Sequence, residues 1–214
     1  ASPGPLVTFG DVFAGDNAKK MGLRSARLVI ATNQNDVLHR TTETGAYTKE
    51  GVTPSISPSM DIQVSSNFER ALFDAYGRDG GAVAQLMEEL KDGSFAISQG
   101  AMETLREHFD SGRASEEETN ATIASAFTAT SEVLCPHSAV GVKVANAYLG
   151  EVPMVTLATA HPAKFPDAVE AAMGARPALP PHRADMMDKD ERVTRVPNDL
   201  GALEALIKER IAQR

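Results

Sequence analysis

"ARLVIATNQND", residues 26–36, sets a short apolar run directly against a cluster of polar, turn-forming residues. The run is bounded like a buried strand, and Asn35 stands where it can cap a helix that runs on to Gly45. Strand, turn and helix in that order predict an α/β arrangement if the pattern recurs along the chain.

It does recur. Upstream, "VFAGDNAKKMG" (residues 12–22) has helical spacing, Lys19 and Lys20 at its negative end, and Gly22 as a stop. Downstream, residues 46–61 carry Pro54 and Pro58 and read as a loop. Residues 62–132 read as mostly helical around a short "SFAIS", with Ser66/Glu69 and Ser115/Glu118 at the spacing of capping boxes. Pro136 suits the first turn of a helix ending by Gly150. "VPMVTLAT" (152–159) reads as a second buried strand, and "PAKFPDAVEAAMG" as the helix after it. A proline-rich connection over 175–197 leads to an amphipathic helix from Asp199, with Leu203, Leu206, Ile207 and Ile211 on one side.

Composition narrows the function classes. The 214 residues are 42% hydrophobic and 23% charged, enough for a sizeable core in one or two domains. A net charge of −8 without a long basic block speaks against nucleic acid as a partner. Cys135 is the lone cysteine, so neither an intrachain disulfide nor a cysteine-rich zinc site can form, and a cytoplasmic setting is expected. The longest uncharged run, Thr119 to Ser131, is too short and too polar to cross a bilayer. The five histidines include no His-Glu-x-x-His pair, so no metal site is expected. "ASPGPLV" at the start lacks the basic and apolar regions of a secretory signal and reads as a cut end, with residues 1–8 a truncated or non-native lead.

Two stretches carry candidate chemistry. In open α/β sheets ligands sit beyond the carboxyl ends of strands, and Thr159, His161 and Lys164 of "LATAHPAKF" follow such an end. A threonine hydroxyl can meet a neutral heteroaromatic nitrogen, and His161 and Lys164 can meet a phosphate or carboxylate. The bland alternative is a strand running through an ordinary turn into a helix. "TFGDVFAG" offers the other site, a glycine-containing bend before a helix start whose N–H groups suit an anion, although Gly10 also simply closes a tight turn.

Taken in order, "FGDVFAGDNAKKMGL", "IATNQNDVLHR", "SPSMDIQVSSNFERALFD", "CPHSAVG", "LATAHPAKF" and "PND" resemble the C-terminal half of threonine synthase in its longer microbial form, from Phe9 onward. The resemblance implies part of a tryptophan-synthase-like (fold type II) pyridoxal-phosphate domain, helix-rich, with an incomplete sheet, over residues 9–214. It implies conversion of O-phosphohomoserine and water to threonine and phosphate, with pyridoxal 5'-phosphate as cofactor. By the same resemblance Thr159 faces the pyridine nitrogen and Phe9, Gly10 and Asp11 belong to the turn that cradles the cofactor phosphate. His161 and Lys164 fall inside the matching motif near the substrate, and His137 of "CPHSAVG" is similar.

Two departures qualify the likeness. Val7 and Thr8 stand where the family's loop carries glycine and asparagine, which brings β-branched bulk to a place where backbone approaches phosphate. None of the eight lysines lies in the Phe-Lys-Asp context of the lysine that holds the cofactor covalently. The resemblance therefore implies a C-terminal fragment, inactive alone and without a catalytic residue of its own. A related phospho-lyase or dehydratase on the same scaffold, or a non-catalytic interaction module, are the alternatives.

Overall fold

The computed structural model describes residues 4–6, 9–25 and 27–213, the first three as backbone alone. Val7, Thr8 and most of the expected N-terminal lead lie outside the described residues. The chain divides into two compact units, Ala1–Ala178 and Leu179–Arg214.

The first unit is organised around β2 (Leu28–Thr32), the strand foreseen in the apolar run. It lies between β1 (Gly4–Leu6) and β5 (Phe109–Arg113), parallel to both, with Leu28 opposite Gly4 on one side and Phe109 on the other. Successive side chains of a strand point to opposite faces, and both faces of β2 are covered. Leu28 and Ile30 join the larger core, built by α1 (Phe9–Lys20), α2 (Val37–Thr44), α3 (Phe68–Ala75), α4 (Gly80–Lys91) and α5 (Gln99–His108). Val29 and Ala31 face a smaller core with Met60, Ala114, and Val140 and Val144 of α7 (Pro136–Ala145). An uninterrupted apolar strand is what this double burial demands.

A two-stranded antiparallel sheet, β3 (Ala46–Thr48) with β4 (Ser94–Ala96), closes the larger core from one side. Tyr47 on β3 is 2% exposed, stacks on Phe95 at 5.0 Å between ring centroids, and its hydroxyl accepts from Ser65 N–H at 2.9 Å. Helix ends follow the sequence signals in most places. Ser115 and Glu118 form the capping box of α6 (Glu116–Thr130), Pro136 opens α7, and Gly45 ends α2 at φ +78°. Glycine has no steric penalty in that left-handed region.

Five expectations need correction. Asn35 does not cap α2: Asp36 holds the N-cap position, with no side-chain cap bond. Ser66 and Glu69 do not cap a helix: α3 begins at Phe68 behind Asn67, with no side-chain cap bond. Residues 46–61 are not all loop, since β3 and a 3-10 turn at Pro58–Met60 lie within them. "FDSGR", inside the region read as mostly helical, is β5. Residues 152–159 form no strand among the described residues, and Val152, Val155 and Leu157 are exposed. Apolar content alone cannot hold a strand, because its backbone N–H and C=O groups require a ladder partner.

β5 and α7 meet closely at Gly112, where a Cβ would stand 2.8 Å from Cγ1 of the buried Val144. Gly112→Ala is therefore expected to cost about 1–3 kcal/mol through overpacking. Adding Val144→Ala should return part of that loss, a coupling that urea denaturation of both single variants and the double variant will measure.

In the first unit α8 (Pro166–Met173) follows a 3-10 turn at Pro162–Lys164 and ends at Gly174. The second unit holds two further 3-10 turns and α9 (Leu200–Ala212), whose start is capped by Asp199 accepting from Ala202 N–H. Leu203, Ile207 and Ile211 are exposed along α9.

Candidate functional site

The carboxyl end of β2 runs into Thr32, Asn33, Gln34 and Asn35, and there a buried polar network begins. Asp61 Oδ1 accepts from Asn33 Nδ2 at 2.7 Å, Asn35 Nδ2 at 2.8 Å and Ser55 Oγ at 2.6 Å. Its Oδ2 accepts from Ser55 N–H at 2.8 Å. Asn35 also exchanges two hydrogen bonds with the backbone of Thr53. Loop 53–61 is thus fixed by side chains rather than by a backbone ladder, as the polar richness of that loop allows.

This fixing aims Ser59 and Met60 at a narrow pocket of about 30 Å³, lined also by Phe9, Thr32, Asn35 and Ile62. Phe9, Gly10 and Asp11 are the first three residues of α1, at the positive end of its dipole. Phe9 itself is 2% exposed and anchors the core, edge-on to Phe68 at 5.1 Å between centroids. Its place at the pocket is a wall, while Gly10 and Asp11 are half-buried at the helix start.

Beside β2, Asp36 receives Arg40 at 2.9 Å and Arg113 from the end of β5 at 2.8 Å. Burial raises its carboxyl, but the hydrogen bonds and charges of the two guanidinium groups outweigh that and hold it below the usual carboxylate range.

α7 connects this end of the sheet with residues 157–165. His137 is 3% exposed; its Nε2 accepts from Ser59 N–H at 3.1 Å, and its ring lies 4.6 Å from that of Phe165. Burial lowers the His137 pKa from 6.5, Lys164 lowers it further, and Asp61 opposes both. Ser138, next in sequence and equally buried, accepts from the backbone N–H of Thr159 at 3.2 Å.

The sequence-derived residues therefore fall at two ends of one connected path. Phe9 lies at the pocket; Ser59, His137 and Ser138 follow; Thr159, with an exposed side chain, lies at the other end. Lys164 is exposed, with Nζ 5.8 Å from the Phe165 centroid. His161 is exposed, and its Nδ1 accepts from Ala163 N–H at 3.2 Å, so it caps its own turn. Sequence reasoning missed Asn33, Asn35, Ser55, Ser59, Asp61 and Ser138. All but Ser55 stand inside stretches already singled out, "IATNQNDVLHR", "SPSMDIQVSSNFERALFD" and "CPHSAVG".

Among the described residues no three histidine, cysteine or carboxylate side chains gather as a metal site, and no helix is long and apolar enough to cross a membrane.

The family model described as "Threonine synthase, C-terminal" matches residues 138–207. Threonine synthase of Pseudomonas aeruginosa is 47% identical over 209 residues, which are 96% of this chain and 45% of that protein. The solved structure of PLP-bound threonine synthase from Brucella melitensis matches with a TM-score of 0.91 at 51% identity, over 98% of this chain and 46% of that one. Yeast threonine synthase matches with a TM-score of 0.88 at 32% identity, over 100% of this chain and 48% of that one. The chain spans about half the length of the curated relatives it matches.

Proposed function

We propose, from a chain that has the sequence and fold of the C-terminal part of threonine synthases, that the complete protein converts O-phosphohomoserine and water to threonine and phosphate. The observation that carries this reading is the agreement in both sequence and fold, over 98% of the chain, with a threonine synthase solved with PLP bound. Pyridoxal phosphate is the cofactor of the proposed reaction, and when bound it supplies an electron sink for carbanion chemistry.

The residues present fit such a group on chemical grounds. The first turn of α1 turns a positive dipole end toward a phosphate, so Phe9, Gly10 and Asp11 are assigned to it through their backbone. Thr159 is assigned to the pyridine nitrogen: its backbone is held by Ser138, its hydroxyl is exposed, and an uncharged hydroxyl does not favour a protonated ring as a carboxylate does. Lys164 contributes positive charge for an anionic substrate group. His161 stiffens the turn that carries both. The substrate is a small molecule, and the setting is proposed to be cytoplasmic.

The 214-residue chain is proposed to be inactive alone, because no lysine in it has the context of the family's covalent anchor. The test is a pyridoxal-phosphate titration followed by phosphate-release assays on O-phosphohomoserine. The complete protein is expected to bind the cofactor and release phosphate, and the chain alone to release none. A complete protein that binds cofactor but yields a 2-oxo acid would move the assignment to a related lyase. Failure to bind the cofactor at all would overturn the reading.

A further inference from the structure

Two consecutive residues at the start of α7 hold two different loops. His137 takes Ser59 N–H, and with it the loop that lines the pocket; Ser138 takes Thr159 N–H, and with it the turn that carries Lys164. His137 and Ser138 are each 3% exposed, while the Ser59 and Thr159 residues they hold lie at the surface.

The hydrogen bond fixes the tautomer. Ser59 N–H must donate, so Nε2 must present a lone pair and Nδ1 must carry the ring proton. Nδ1 is buried and meets no acceptor among the described residues, which leaves the Ser59 bond as the ring's one directional anchor. Phe165 covers the ring and ties it to the turn on the other side.

We propose that His137 is a positioning residue that works as a neutral imidazole, holding the Ser59 loop and the Thr159–Phe165 turn in register across the first turn of α7. The proposal rests on the functional reading of this site only for its effect on turnover; the bond itself is independent of that reading.

The surroundings favour the neutral ring. Second in its helix, His137 stands at the positive dipole end, where an added cation is unfavourable. Lys164 adds a like charge from the turn, and Asp61 from the pocket loop is the opposing carboxylate. Protonation would place an Nε2–H against the Ser59 N–H, two donors facing each other, and would release the loop. Burial and Lys164 set that event below 6.5.

The experiment uses the complete protein with two substitutions. Gln can offer an oxygen near the position of Nε2 and does not titrate; Leu removes the acceptor while keeping bulk. Nitrogen-15 NMR of the unsubstituted protein should show His137 with its proton on Nδ1 and a titration below 6.5. The pH profile of kcat/KM for O-phosphohomoserine should show an acid limb that His137→Gln moves to lower pH. His137→Leu should lose on the order of tenfold in kcat/KM above the acid limb, a gap that closes as pH falls through it, and His137→Gln should restore most of the loss.

An Nε2–H tautomer, or a Leu variant with unchanged kcat/KM beside a Gln variant with an unmoved acid limb, would overturn the proposal. If the unsubstituted protein releases no phosphate, the functional reading fails and the NMR titration alone decides the histidine.

Discussion

Phe9→Ala is expected to destabilise the first unit by about 3–5 kcal/mol, the range for emptying a buried aromatic site. The ring is 2% exposed and lies within aromatic contact of Phe13, Phe68 and Phe109, at 6.4, 5.1 and 5.9 Å between centroids. Those partners belong to α1, α3 and β5, so one truncation loosens three elements at once. Collapse into the gap is limited because Phe109 is fixed by the sheet. Urea denaturation should show a lower midpoint at unchanged slope. Phe9→Leu, which refills part of the volume, should fall between the two. A loss under about 1 kcal/mol for the alanine variant would mean that the core closes over the site, contrary to this packing.

Asp61→Ala is expected to cost about 2–4 kcal/mol, by a different route. The carboxylate takes four donors from Asn33, Asn35 and Ser55, and the first two residues are 3% and 4% exposed. Alanine removes the acceptor they share: Asn33 Nδ2 keeps Ser55 and Ser57 Oγ and Asn35 Nδ2 keeps the Thr53 carbonyl, but the Ser55 amide loses its bond. Because Asp61 is itself half-buried, entering water will satisfy some of them, which keeps the expectation below the cost of a sealed charge. Asp61→Asn keeps the shape but turns one acceptor into a donor, so it should not restore stability fully. Hydrogen exchange should locate the loss in loop 53–61, with the Ser55 amide losing protection most. Unaltered protection there would show that Asp61 is not the centre of the network.

Much of the fold was legible because its local rules agree with its tertiary ones. "LVIAT" is apolar on both faces and is covered on both. Ser115 and Glu118 cap the helix that their spacing predicts, and Asp199 starts α9. Legibility failed where pairing is remote. "FDSGR" carries Asp, Ser and Gly, poor strand formers, and is a strand because β2 lies ready beside it. "VPMVTLAT" errs in the opposite sense: strong strand formers without a ladder among the described residues. At the site, motif and turn singled out Thr159 and Phe9 as candidates, whereas the Asp61 network joins residues 26 and 28 positions apart by side-chain geometry that no local spacing encodes. Ser138 was hidden for a similar reason, being a helix residue whose partner is a backbone amide 21 positions away.

The parallel pairing of Leu28 with Phe109 has a consequence for synthesis on the ribosome. At about 5–20 residues per second, the partner strand follows β2 out of the exit tunnel by roughly 4–16 seconds. Throughout that interval the most apolar strand of the sheet is a nascent segment with one long edge unclaimed. α1 and α2, translated on either side of it, are the first elements able to shield it. Expression at lower temperature, or with a chaperone that binds extended apolar segments, should raise the soluble yield more for this protein than for one whose central strand pairs with its neighbour in sequence.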